Sequence, residues 1–434
     1  MIDLPLPSLS QSSATLCFVL ILLVPLAAAG LALVNCGLGR SRSAAHMMMA
    51  SLCVFGVAAL VYVAIGFSWQ GAVGRPAHVL MIAGKPWNWI AAEPFFLRGL
   101  RLDLSADSLI VLLQVLSVGL AAVIPLSAGS DRWRLGAACA SSALLAGVTY
   151  PLFAHWVWSG GWLVQLGADC GLGRGFIDGG GASAIQAVGG LTALSVTWIL
   201  GPRRGKFSRE GIPAAIPGHN AVLALMGCLV AWLGWSALNS AGAILFAGVD
   251  ASSVVLIVLN TTLSAIASAL SAAVVTRVRF GRPDASLTVN GWMAGLVASS
   301  APAAFLKPAA AILVGMVAGF LVLSSIDLLE SRLAIDDPGG AVSVHAVAGI
   351  WGLLAVSLLS SAGSSGQWLA QVAGISTLLG FVLPLTYGLN WLLNRFYPQR
   401  VNEEGELQGM DLYELGAGAY PEFVVHSDEF TQRY

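Results

Sequence analysis

Long apolar runs alternate along this chain with short polar breaks. No Asp, Glu, Lys or Arg occurs from Met47 to Gly74 or from Leu135 to Ala168; Gly175 to Gly201 is broken only by Asp178, and Ala341 to Asn394 is free of charge. Each run exceeds the roughly 20 apolar residues that cross about 30 Å of hydrocarbon, and the longest hold two spans and a turn. Lipid offers no partner to a bare backbone N–H or C=O, so runs of this kind form helices. The strands of a barrel would alternate polar and apolar residues, and these runs do not. The pattern predicts an all-α, polytopic membrane protein with eleven transmembrane helices, at 12–34, 47–68, 107–128, 136–157, 181–201, 219–239, 252–275, 286–304, 308–329, 341–362 and 368–393.

Composition points the same way. Of 434 residues, 57% are hydrophobic and only 10% charged, with a mean hydropathy of +0.81. A soluble domain carries about 25% charged residues, and this chain has too few to cover a water-facing surface. The net charge of −1 removes any electrostatic case for nucleic acid. Six cysteines, at 17, 36, 53, 139, 170 and 228, show no CxxC spacing and read as small buried hydrophobes rather than metal ligands. The first apolar run, Ala14 to Val34, lacks a basic segment before it and is followed by Arg40 and Arg42. It is long enough to span, and reads as a retained helix rather than a cleaved leader.

Basic residues fall in alternate loops: Arg40 and Arg42; Arg132 and Arg134; Arg203, Arg204, Lys206 and Arg209; Arg277, Arg279 and Arg282; Arg332. The positive-inside tendency makes that side cytoplasmic, with the N-terminus outside and the chain beyond Arg395 inside. The division is a transmembrane unit, 1–400, and a polar cytoplasmic tail, 401–434. The long connection from Trp69 to Asp107 carries Trp87, Trp89, Phe95 and Phe96, residues suited to anchoring at a membrane–water boundary.

The most informative feature is a repeat. Asp178-Gly-Gly-Gly-Ala-Ser-Ala-Ile-Gln186-Ala-Val-Gly-Gly-Leu191 aligns without gaps with Asp337-Pro-Gly-Gly-Ala-Val-Ser-Val-His345-Ala-Val-Ala-Gly-Ile350. One copy opens the fifth predicted span, the other the tenth. Five spans per half is an odd number, so the second copy enters the membrane from the opposite face. That is an inverted-topology repeat, 5+5 with a final helix added, and such repeats build transporters with a path between the halves. Eight residues beyond each Asp stand Gln186 and His345. Eight helical residues rise about 12 Å, which places both polar side chains well inside the bilayer, where such groups face the bundle interior. Pseudo-symmetry makes them neighbours. A lone histidine in a helix is more often a packing residue; symmetric placement among glycines favours a functional pair. Asp178 and Asp337 can each cap a helix N-terminus, and Pro338 suits the first helical position.

At this point the chain resembles the Amt/Mep/Rh ammonium-transport family, nearly end to end. Tyr150-Pro-Leu-Phe-Ala-His155-Trp-Val-Trp158, the Asp178 segment, and Asp336-Asp337-Pro338 through His345 carry the resemblance. Pro217-Gly-His219-Asn220, Gly234-Trp235 through Asn239, and Glu404-Gly-Glu-Leu-Gln-Gly-Met-Asp411 through Tyr420 support it. The resemblance implies ammonium or ammonia as substrate, a homotrimer in the lipid bilayer of the cell membrane with one path per subunit, and no cofactor. By position, Trp158 matches the family's cation-recruiting aromatic, Asp178 its essential acid and His345 its second pore histidine. The tail implies docking of a PII-type signalling trimer, although Leu415 stands where the family often has His.

The departures are specific. Gln186 stands where the first pore histidine is usual; an amide hydrogen-bonds but does not titrate. On an ungapped reading around Gln114 and Asn239, the two gating phenylalanines are Ser117 and Leu238, and the outer-site serine is Gly242. Cys170 to Ile177 lengthens the loop before Asp178. Two alternatives follow: an ammonium sensor that kept the fold with weak conduction, or a transporter of another small amine. No nucleophile–base pair, phosphate loop or metal cluster stands out, so an enzyme is not predicted.

Overall fold

The computed structural model describes residues 9–363 and 365–420. Residues 1–8 of the predicted transmembrane unit and 421–434 of the predicted tail lie outside the described residues. Among the described residues, ten helices are long and apolar enough to cross a membrane: α1 (Gln11–Leu38), α2 (Ser41–Gln70), α3 (Ala106–Leu126), α4 (Leu135–Cys170), α5 (Ala182–Leu200), α6 (Ala221–Ala247), α7 (Ala251–Phe280), α9 (Pro308–Ser331), α10 (Val342–Leu359) and α11 (Gln367–Phe396). The predicted span 286–304 folds as α8 (Ala285–Ser299), only 15 residues long. Two short helical pieces follow α11, namely α12 (Glu403–Gln408) and α13 (Asp411–Leu415).

Helix starts follow local chemistry. Ser10, Asn220 and Asp284 each accept a backbone N–H from the first turn of α1, α6 and α8, satisfying one of the donors a helix leaves orphaned. Pro308 opens α9, where its missing N–H costs nothing. The outside of the bundle is apolar: Leu52, Leu60, Val222, Val255 and Val278 are among the exposed side chains. Water would penalise that surface; a bilayer does not.

The long 70–106 connection contains a two-stranded antiparallel hairpin that the hydropathy pattern does not reveal, β1 (Ala77–Ile82) with β2 (Lys85–Ala91). Its two-residue turn is Ala83-Gly84, both with positive φ, the geometry that matches strand twist. The hairpin packs Trp87 and Trp89 against Trp162 in tilted contacts, with ring centroids 5.7 and 6.1 Å away.

The repeat's last shared glycines bring the backbones of the two halves into close contact. A Cβ on Gly190 would fall 2.4 Å from the backbone N of Ala346, and one on Gly349 would fall 2.7 Å from the carbonyl O of Ala182. These two positions correspond in the alignment, so each half uses the same missing side chain to admit the backbone of the other.

On the face opposite the hairpin, a buried ion cluster joins three loops. Arg203 donates to both carboxylate oxygens of Asp336, at 2.9 and 3.0 Å, and to Asp131 at 3.2 Å. Burial alone would raise the Asp336 carboxyl. The Arg203 hydrogen bonds and the charges of Arg132 and Arg203 outweigh it and hold that group below its ordinary range. The tail docks on the same face. Asp411 accepts the backbone N–H of His46 at 2.7 Å and of Ala45 at 3.2 Å, while Glu414 accepts from His46 Nε2 and from the Leu135 N–H, both at 2.8 Å. Arg42 donates to the carbonyls of Leu407 and Glu406.

Candidate functional site

Asp178 lies in the turn that leads into α5. One of its carboxylate oxygens accepts the N–H groups of Gly181 and Ala182, each at 2.8 Å; the other accepts the Ser183 N–H at 2.7 Å and the Ser183 hydroxyl at 2.5 Å. The helix's free donors and its dipole both favour a negative group there. Asp337 does the same for α10, accepting from Ala341 at 3.0 Å and Val342 at 2.7 Å. Each capped start continues as a wide π-helical turn, 182–187 in one half and 342–347 in the other. Such widened turns recur at functional sites.

Gln186 and His345 project from those turns and meet. His345 Nδ1 lies 2.8 Å from Gln186 Oε1, and both side chains are buried. An amide oxygen only accepts, so Nδ1 carries the ring proton and Nε2 keeps its lone pair. Nε2 makes no hydrogen bond to the described residues, and the Gln186 amide nitrogen is buried without a protein partner. Two polar groups of the pair are thus left over, one acceptor and one donor. Trp235 of α6 leans over the imidazole with a centroid separation of 6.4 Å, its own N–H donated to Ser300.

Trp158, at the end of the main segment of α4, donates its indole N–H to the Asp178 carbonyl at 2.7 Å. One short bond therefore ties the aromatic to the acid's own backbone. The lengthened loop before Asp178 is strapped to α11: Gln367 bonds Arg174 N–H and Gly175 C=O, and Gln371 bonds both N–H and C=O of Ile177. Ser117, Leu238 and Gly242 are all buried. Ser117 lies beside the Tyr150 hydroxyl, which donates to Gln114. Gly242 backs onto the Asp178 turn, where an added Cβ would sit 2.3 Å from the Gly179 carbonyl; the backbone fills the space a serine would need.

Two residues at this site escape the sequence reading. Ser183 supplies the hydroxyl on Asp178. Phe246 of α6 stacks on Trp158 with centroids 4.5 Å apart and rings 13° from parallel; it stands one helical turn beyond Gly242, the only hint available in the sequence. Among the described residues no three His, Cys, Asp or Glu side chains converge as a metal site would require.

The fold and this junction define an integral membrane protein of inverted-repeat transporter architecture. A family model described as the Ammonium Transporter Family matches residues 14–420, and the chain belongs to that family. It is 33% identical over 421 residues to ammonium transporter Amt2 of Archaeoglobus fulgidus, covering 92% of this chain and 86% of that protein. To the ammonium transporter of Bacillus subtilis it is 29% identical over 411 residues, covering 92% and 96%. A solved structure titled Sensor Amt Protein matches with a TM-score of 0.83 and 25% identity over 92% of this chain and 97% of that one. Mep2 of Candida albicans shares the fold, with a TM-score of 0.79 and 24% identity over 95% and 91%.

Proposed function

We propose that this chain carries ammonium nitrogen across the cell membrane, taking the cation at the hairpin face and passing neutral ammonia along the Gln186–His345 pair. The observation that carries the reading is the leftover pair. Ammonia has three N–H donors and one lone pair. His345 Nε2 can accept from it, and the Gln186 amide can donate to it. Ammonium has no lone pair, so the amide N–H would face a cation it cannot bond. Burying a bare cation is also far costlier than burying a neutral amine, and both effects select the uncharged form.

Recruitment falls to Trp158 and Asp178. The ring face attracts a cation, and the carboxylate's field favours the charged form at the entrance. Because the Asp178 oxygens are occupied by N–H and O–H donors, the acid acts through its field and by shaping the turn, not as a direct ligand. Ser117, Leu238 and Gly242 form the sides of this entrance. The hairpin face is outside and the basic face, with the 401–434 tail, cytoplasmic. The working unit is a homotrimer, and the tail offers a docking place for a PII-type trimer.

The test is reconstitution into liposomes with measurement of current and internal pH on addition of ammonium, then methylammonium. A response to ammonium supports the reading. Silence towards both, with binding retained, would leave a sensor, a second reading that the likeness to the Sensor Amt Protein supports. Preference for methylammonium would point to another small amine as substrate.

A further inference from the structure

We infer that Phe246 is the entrance gate of this chain and the second aromatic face of its cation site, an inference that rests on the transport reading above. The two positions at which gate phenylalanines are expected hold Ser117 and Leu238, neither with a ring. The aromatic that does meet Trp158 comes from elsewhere: Phe246, on the last turn of α6, lies nearly parallel to it at 4.5 Å. A cation needs a layer of its own against a ring face, so with the stack closed this face of Trp158 is taken.

One partner of the stack is held by a hydrogen bond and the other is not. The Trp158 indole is pinned through its N–H to the Asp178 carbonyl, and the residue is 7% exposed. Phe246 is only half-buried and has no polar anchor. It sits two residues before Gly248, where the backbone turns left-handed at φ 63° and α6 ends. Its χ1 has other staggered wells to occupy. Swinging out, Phe246 uncovers Trp158; swinging back, it sandwiches a small cation between two negative ring faces. The vacated aromatic positions and the new one thus complement each other, and the gate's size limit is set by how far one ring must move.

The test uses the full chain in proteoliposomes, with ammonium and methylammonium as probes. Phe246→Leu keeps bulk but removes the π face; the half-saturation concentration for ammonium should rise about three- to tenfold, in line with one lost cation–π contact, while the methylammonium-to-ammonium ratio holds. Phe246→Ala removes both, so affinity should fall likewise and the ratio shift several-fold towards methylammonium. Phe246→Tyr should restore both values. Wild-type half-saturation and ratio in the Leu and Ala variants would overturn the gate while leaving transport intact. A silent wild type would overturn the transport reading and the gate with it. Should the Ala variant fail to assemble, Leu against Tyr still decides the π-face claim.

Discussion

His345 Nδ1 and Gln186 Oε1 sit 2.8 Å apart although 159 residues separate them in the chain, and 159 is also the offset between Asp178 and Asp337. The contact is therefore the repeat closing on itself at its centre. It fixes the imidazole tautomer without a second titratable ring. Replacing Gln186 with Leu strands a buried N–H, a loss of about 1–3 kcal/mol, and frees the ring to take the other tautomer. Ammonium flux should fall at least about tenfold, the counterpart of 1.4 kcal/mol, and the thermal midpoint should drop. His345→Ala should depress or uncouple flux more severely. Unchanged flux and selectivity in both variants would return the pair to simple packing.

Asp178 invites a sharper separation of roles. Asp178→Asn keeps one acceptor oxygen but turns an NH₂ group towards N–H donors of 181–183, so the turn into α5 should loosen. Hydrogen bonds to a charged group are worth about 1.5–3 kcal/mol, and the midpoint should fall by several degrees together with loss of transport. Ser183→Ala removes one donor and leaves the carboxylate charged. If the acid acts through its field, that variant should retain most flux despite a modest loss of stability. Equal loss of flux in both would mean the turn's shape, not the charge, is what matters.

These expectations also show what the sequence could and could not disclose. The spans were legible because lipid imposes one rule on every exposed segment, and no distant residue can relax it. The pairing of Gln186 with His345 followed from the repeat because local capping by Asp178 and Asp337 sets both registers alike. The β1–β2 hairpin was hidden: its pairing depends on a turn at Ala83-Gly84 that has no strong signature, inside a connection rich in tryptophan. The shortness of α8 was hidden too, since hydropathy continues past Ser299 while the chain bends away. Phe246 and the tight seat of Gly242 are contacts between α6 and segments some 60 to 90 residues earlier, and such contacts leave no local pattern.

Gly242 yields a prediction that runs against resemblance. Its neighbour is backbone, the Gly179 carbonyl, which cannot rotate aside as a side chain can. Gly242→Ser, which restores the residue usual in the family, should destabilise the protein by about 1–3 kcal/mol through overpacking and displace the Asp178 turn. Reduced flux with a lowered midpoint is expected. A serine variant as stable and active as the parent would show that the turn can retreat, and that the entrance is less tightly built than its contacts indicate.

The tail supplies a pH dependence whose sign can be worked out. Burial pushes the Glu414 carboxyl up, but the His46 hydrogen bond, the Leu135 N–H and the charges of His46 and Arg134 outweigh it and hold the group below its ordinary value of 4.5. A carboxylate depressed in the docked state stabilises docking at every pH above 4.5, and that contribution drains away as pH falls through the lower, docked value. The segment 403–420 should therefore resist limited proteolysis at neutral pH and become cleavable below about 4.5. Glu414→Gln cannot ionise; its tail should be cut more readily at neutral pH and show no further change on acidification through this window. Asp411, which holds the N–H groups of Ala45 and His46, gives a second handle: Asp411→Ala should weaken the docking of α13, and the tail should be cut more readily at neutral pH. Cleavage rates that are flat from pH 7.5 to 3.5 in the parent protein would show that the Glu414–His46 contact does not hold the tail.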